Sequence, residues 1–181
     1  NKIGVYSKAI EALKAASAIN SDNADVWRNL GNSYAYSEKF ELAIETYQRA
    51  IFLKPDYVEA YNNLGILYAT KGMQDKAIEQ YKLAISKDPK FAQAHYHLGI
   101  MYYAKKETDK AIEEYKTAVQ LLPSYSKAYY NLGIAYSSKG DTKNAFASFG
   151  EAARINPKDP VIYYNLGLIS SNIGDDSSAA G

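Results

Sequence analysis

Asn29, Asn63, Asn131 and Asn165 fall on one series with a step of 34 residues, and His97 takes the remaining place in it. A primary amide carries both a donor and an acceptor, so it can hold the N–H and the C=O of one peptide unit. Amides set at a fixed interval would grip the backbone of an extended chain without reading its sequence, each hydrogen bond contributing roughly 0.5–1.5 kcal/mol net. The other use of the same amides is to solvate the face that carries them. Other reactive chemistry is sparse. His95 and His97 are the only histidines. Two residues apart on a helix, they point to different sides and cannot chelate one metal. His95 reads as a packing ring, and His97 as a hydrogen-bonding ring that responds to pH. Asp175 and Asp176 are expected in a terminal turn, as a helix N-cap rather than a metal site. The sequence holds no glycine-rich phosphate loop, no Cys/His metal spacing and no Ser/His/Asp arrangement. No enzymatic activity, cofactor or metal is therefore expected.

The elements that must position these groups repeat with the same step. Leu-Gly recurs at Leu30-Gly31, Leu64-Gly65, Leu98-Gly99, Leu132-Gly133 and Leu166-Gly167. Three residues before each Leu stands a large ring: Trp27, Tyr61, His95, Tyr129, Tyr163. Ala43, Ala77, Ala111 and Ala145 follow, then Tyr47, Tyr81, Tyr115 and Phe149, then Ala50, Ala84, Ala118 and Ala152. Each unit closes on Pro55, Pro89, Pro123 or Pro157. A fixed period of this length predicts stacked helical hairpins in place of one closed core. In the first full unit the spacing predicts one helix near 24–37, from Trp27, Leu30 and Tyr34, and a second near 40–53. Gly31 and Ala43 leave room for the two backbones to approach. Gly72 and Gly140 suit the left-handed position after a helix; Glu38 and Lys106, at the same place, are expected to use a different turn. Thr108 and Asp141 are the expected N-caps, and the prolines stop the second helices.

These residues resemble the tetratricopeptide repeat, whose pattern is W-x2-L-G-x2-Y, then A-x3-F, then P. The resemblance covers nearly the whole chain and implies an all-α, right-handed superhelical solenoid of stacked antiparallel helix pairs. The units are a partial one at 1–23, in which Ala9, Leu13 and Ala16 take second-helix positions, full ones at 24–57, 58–91, 92–125 and 126–159, and a partial one at 160–181. Together they are expected to form a single array. Departures are few: Ser170 for Tyr in the last unit, Ser21 for Pro in the first, and His95 for the first ring of the third full unit. The chain begins inside one repeat and stops inside another, as expected of a piece of a longer protein.

The resemblance also assigns a concave surface to the first helices. There the first full unit offers Asp25, Arg28, Asn29, Asn32 and Tyr36; the second Glu59, Asn62, Asn63, Ile66 and Thr70; the third Gln93, Tyr96, His97, Ile100 and Tyr103; the fourth Lys127, Tyr130, Asn131, Ile134 and Ser138. The last helix adds Val161, Tyr164, Asn165, Leu168 and Asn172. This groove is expected to be polar toward the N-terminus and aromatic and aliphatic from the third unit on. The asparagine row is similar to the asparagine ladder in the repeat superhelix of O-linked N-acetylglucosamine transferase. The floor of Tyr96, Ile100, Tyr103, Tyr130, Ile134, Tyr164 and Leu168 reads as a partner site, or else as rings that pack on the next unit. Glu41, Glu45, Lys76, Glu79, Lys110, Glu113 and Glu114 read as a solvated outer face.

Composition narrows the partners. Lys and Arg number 21 against 20 Asp and Glu, so nothing draws the chain to nucleic acid. No apolar run approaches a membrane span, and no signal peptide is visible. The lack of cysteine excludes disulfides and thiol chemistry and leaves the compartment open. The leading expectation is a protein-interaction scaffold that binds a protein or peptide segment in the groove. Two other readings are an accessory domain presenting substrates to a larger enzyme, and a structural protein that self-associates through its uncapped ends. The five-residue clamp for chaperone-tail carboxylates is not expected: Arg28, Asn32 and Asn63 match it, but Gln93 and His97 stand where its last two cations belong.

Overall fold

The computed structural model describes the backbone of residues 2–179 and the side chains of residues 6–171. Among the described residues there are ten α-helices and no strand. The chain divides into two compact units, residues 1–89 and 90–181. In the first, α1 (Lys2–Ile19) packs on α2 (Ala24–Tyr36), which pairs with α3 (Phe40–Leu53). Then α4 (Val58–Thr70) packs on α3 and pairs with α5 (Gln74–Lys87). In the second, α6 (Ala92–Ala104) pairs with α7 (Thr108–Leu121), and α8 (Ser126–Ser138) with α9 (Thr142–Ile155). Here α7 packs on α8, and α10 (Pro160–Ala179) on α9. Each unit is thus a stack of antiparallel helix pairs.

What seals a pair is a ring set against a glycine. Tyr47, Tyr81, Tyr115 and Phe149 are buried. A Cβ added at Gly31, Gly65, Gly99 or Gly133 would stand 2.6, 2.5, 2.7 and 2.8 Å, respectively, from those rings. Ala43, Ala77, Ala111 and Ala145 are fully buried beside them. Burial lifts the phenols of Tyr47, Tyr81 and Tyr115 well above the usual tyrosine range. Gly167 differs: nothing stands within 4 Å of its added Cβ, because no second helix follows α10 among the described residues.

The turns correct two expectations. Glu38 and Lys106 do not take a different turn. Their φ angles are 58° and 62°, against 74° and 75° at Gly72 and Gly140. All four turns share one hydrogen-bond pattern, with Lys39 N–H to Tyr34 C=O at 2.9 Å matched by Glu107 to Tyr102 and Asp141 to Tyr136. These are Schellman closures, and the packing of α3 on α2 and of α7 on α6 outweighs the cost of a side chain in the left-handed region. The N-caps split. Asp141 caps α9 through the Asn144 N–H, but Thr108 is the first helical residue of α7, whose N-cap Glu107 makes no side-chain cap bond. Each second helix ends two residues before its proline, on an extended residue such as Lys54 or Leu122.

The last element is also longer than expected. Asp175 and Asp176 lie within α10 and not in a terminal turn, since the helix continues to Ala179. Among the described residues no second helix packs back on α10, which runs on through Gly174, the repeat equivalent of Gly72 and Gly140. The side chains of Asn172, Asp175 and Asp176 lie outside the described residues.

Candidate functional site

The asparagines are tied to neighbours in a consistent direction. In the first unit, Asn63 Nδ2 donates to Asn32 Oδ1 at 3.0 Å, and the same oxygen accepts the Tyr47 hydroxyl at 2.7 Å. In the second, Asn131 Nδ2 donates to Tyr96 Oη and Asn165 Nδ2 to Tyr130 Oη, both at 3.3 Å. Asn165 Nδ2 also reaches the Val161 carbonyl at 2.8 Å. Asn63, Asn131 and Asn165 therefore each spend a donor on the preceding first helix, and Asn131 also bonds with the Tyr115 side chain. Asn29 is half-buried, and its backbone carbonyl accepts the Ser33 hydroxyl. The fold ties these amides to tyrosine hydroxyls and to Asn32.

The floor residues are partly consumed by packing. Tyr96, Ile100 and Tyr103 lie against the core cluster of Tyr115, Ala118 and Leu132, while Tyr130 and Ile134 lie against Phe149 and Ile169. All five are half-buried, with one edge on the core and one toward solvent. Burial raises the Tyr96 phenol, the Asn131 bond opposing it. On α10, Tyr164 is 67% and Leu168 49% exposed. Asn62, assigned to the groove by repeat position, is buried and does not belong to an open surface.

Three clefts open on the first-helix faces. One of ≈ 260 Å³ in the first unit is lined by Asn32, Tyr36, Phe40, Tyr47, Asn63, Ile66 and Thr70, with Ala35 and Leu67. Tyr36 is stacked on Tyr6 at 5.2 Å. This cleft is more aromatic than the polar surface expected there, because Phe40 and Tyr47 reach it from the second helix. In the second unit a cleft of ≈ 240 Å³ is lined by Ile100, Tyr103, Ala104, Tyr115, Asn131 and Ile134. The largest, ≈ 680 Å³, gathers Tyr96, His97, Ile100, Lys127 and Tyr130 with Tyr125, Ser126, Asn156, Asp159 and Ile162. Those last five were not expected from the helical pattern, since Tyr125, Asn156 and Asp159 come from the turns that lead into α8 and α10, and Ser126 and Ile162 from the first turns of those helices. A signal for them was present: Tyr57, Phe91, Tyr125 and Asp159 share the closing position of their units, three rings and then a carboxylate.

Electrostatics revises both histidines and one acid. Burial, with Lys127 adding to it, pushes the His97 imidazole down to about 4, so the ring is neutral at physiological pH. His95 is more than a packing ring: its Nδ1 lies 2.7 Å from Glu114 Oε2, which draws Glu114 off the solvated outer face and half-buries it. The other acids and lysines assigned to that face are exposed. Arg28 is occupied within its unit, its guanidinium 5.6 Å from the Tyr57 ring centroid and 4.0 Å from Asp25. Tyr57 in turn donates to Asp25, and burial raises its phenol to about 12. Among the described residues no three His, Cys, Asp or Glu side chains gather as a metal site, and no helix is long and apolar enough to cross a membrane.

Known proteins carry the same architecture. A crystal structure of MamA is 30% identical and superposes with a TM-score of 0.75 over 86% of this chain and 91% of that one. YrrB, described as a TPR protein with an unusual peptide-binding site, is 22% identical with a TM-score of 0.75 over 91% of this chain and 85% of that one. A chain of the APC/C hetero-tetramer Cut9–Hcn1 is 18% identical with a TM-score of 0.78, covering 94% of this chain but 34% of its own. None of the curated proteins matches in sequence. The family profile described as TPR repeat matches residues 2–36, 31–72, 68–106 and 99–140, and the one described as tetratricopeptide repeat matches residues 126–159. With the Gly–ring seals, the shared turns and these matches pointing one way, the chain belongs to the tetratricopeptide-repeat family.

Proposed function

We propose that this chain is a protein-interaction scaffold that receives an extended segment of a partner on its first-helix faces. The observation that carries this reading is the pairing of tied amides with open apolar clefts. Asn63 lines the cleft of the first unit and Asn131 a cleft of the second. Side-chain amides take backbone N–H groups, and half-exposed rings beside them take side chains. The surface set comprises Asn29, Asn32, Asn63, Tyr96, His97, Ile100, Tyr103, Tyr130, Asn131, Ile134, Tyr164, Asn165 and Leu168. The description of YrrB as a peptide-binding protein of this fold supports the same use. A chaperone-tail clamp is not part of the reading, because His97 is neutral and the Asn32 oxygen already accepts two bonds.

The test is selection from a displayed library of linear peptides, with the Asn63→Ala/Asn131→Ala double variant for counter-selection. Sequences enriched on the parent chain should lose affinity on the variant by about fivefold or more, the effect of one or two hydrogen bonds, while the chain still melts cooperatively, lowered only by loss of the Asn63–Asn32 and Asn131–Tyr96 bonds. No enrichment of any linear peptide, or enriched peptides that bind the variant equally well, would contradict it.

A further inference from the structure

The ≈ 680 Å³ cleft of the second unit lies where the series of closing rings, Tyr57, Phe91 and Tyr125, breaks off at Asp159. In the first and third full units the closing residue lies against the fifth residue of that unit's first helix. Tyr57 lies against Arg28 in this way at 5.6 Å, and Tyr125 meets Tyr96 in a tilted pair with ring centroids 4.8 Å apart. In the fourth full unit the corresponding pair is Tyr130 and Asp159. Asp159 does not fold over Tyr130 as a ring would; its carboxylate accepts the Val161 N–H at 3.0 Å, at the start of α10. Tyr130 is left with an uncovered edge, bordered by Ile100, Ile162 and the Tyr96–Tyr125 pair.

Two opposite charges border this opening, Lys127 and Asp159. Of the first-helix surface positions assigned in the second unit, from Gln93 to Leu168, Lys127 alone carries a charge at neutral pH, given that His97 is neutral. Lys127 is exposed at the mouth of the cleft and makes no ion pair among the described residues. Asp159, the one acid in the lining, is engaged by the α10 backbone.

We propose that this cleft anchors a partner segment through an aromatic side chain that takes the place Asp159 leaves open over Tyr130, with an Asp or Glu of the same segment paired to Lys127. The inference rests on the interaction-scaffold reading above and adds the chemistry of the partner to it. Ring-on-ring stacking supplies most of the affinity and the cation supplies the preference.

Asp159→Tyr restores the closing ring and fills the cleft while leaving the fold its normal repeat chemistry. The probes are fluorescein-labelled heptapeptides with a central Phe flanked by Asp, compared with Ala in place of Phe and with Lys in place of Asp. The parent chain should bind the Asp-flanked Phe peptide about tenfold or more better than its Ala counterpart, and about threefold better than its Lys counterpart at low salt. Asp159→Tyr should abolish binding with melting unchanged or raised, and Lys127→Glu should invert the charge preference. Library-selected peptides that bind Asp159→Tyr as well as the parent would overturn this inference and leave the scaffold reading standing. If no linear peptide of any kind binds, the scaffold reading itself falls. Concentration-dependent self-association that Asp159→Tyr removes, with no peptide competing, would make a second copy the occupant and overturn the peptide assignment.

Discussion

His97 shows how burial decides a residue's role here. It occupies the asparagine series, yet its imidazole is held neutral down to about 4, between Lys127 and the aromatic wall of the cleft. In the unfolded chain the ring protonates near 6.5. The folded state binds fewer protons between those values, so stability is fully present above about 6.5, falls as pH drops toward 4, and is flat below. The loss should be of order 2–3 kcal/mol. His97→Asn, which completes the asparagine series with a group that does not titrate, should flatten that window. Urea unfolding of parent and variant at pH 7 and pH 4.5 checks it; equal pH dependence in both would show that the titration lies elsewhere. The identity of these surface residues was legible in their spacing. Their partners were not: that Asn131 and Asn165 would lean on Tyr96 and Tyr130 depends on the offset between successive first helices, which no single helical wheel contains.

At the level of the element, the Leu-Gly pairs, small residues and prolines placed the helix pairs closely, because they encode contacts made inside one hairpin. Turn conformation was less readable. The sequence distinguishes glycine from Glu38 and Lys106, but the fold does not, since docking of the second helix imposes the same left-handed residue on all four turns. The consequence is measurable. Lys106→Gly and Glu38→Gly should each stabilise the chain by about 0.5–1 kcal/mol, removing left-handed strain at the cost of some unfolded-state entropy. Gly72→Ala should destabilise it by about 1 kcal/mol, although its added Cβ would meet nothing within 4 Å. Thermal melts of the three variants check the signs, and a destabilising Lys106→Gly would show that the Lys106 side chain contributes more than its backbone costs.

For the molecule as a whole, a formal net charge of +1 and eighteen tyrosines give a surface with more ring character than net field. Many of those tyrosines serve the packing, as the buried Tyr47, Tyr81 and Tyr115 show. Those left half-exposed on the first helices set the character of the proposed binding face. The repeat made the fold readable over nearly the whole sequence. The clefts were readable only in part, because they arise where one unit departs from its neighbours, as Asp159 does, and such a departure gains meaning once the ring it replaces is seen in place. The most direct test of the central claim is a residue-resolved NMR titration of the chain with a library-selected peptide. Perturbations and intermolecular contacts should concentrate on Ile100, Asn131, Ile134 and Leu168, on the first helices and α10, and leave Ile112 and Phe146 on α7 and α9 unchanged. Contacts centred on α7 and α9, with Ile100 and Asn131 silent, would contradict it.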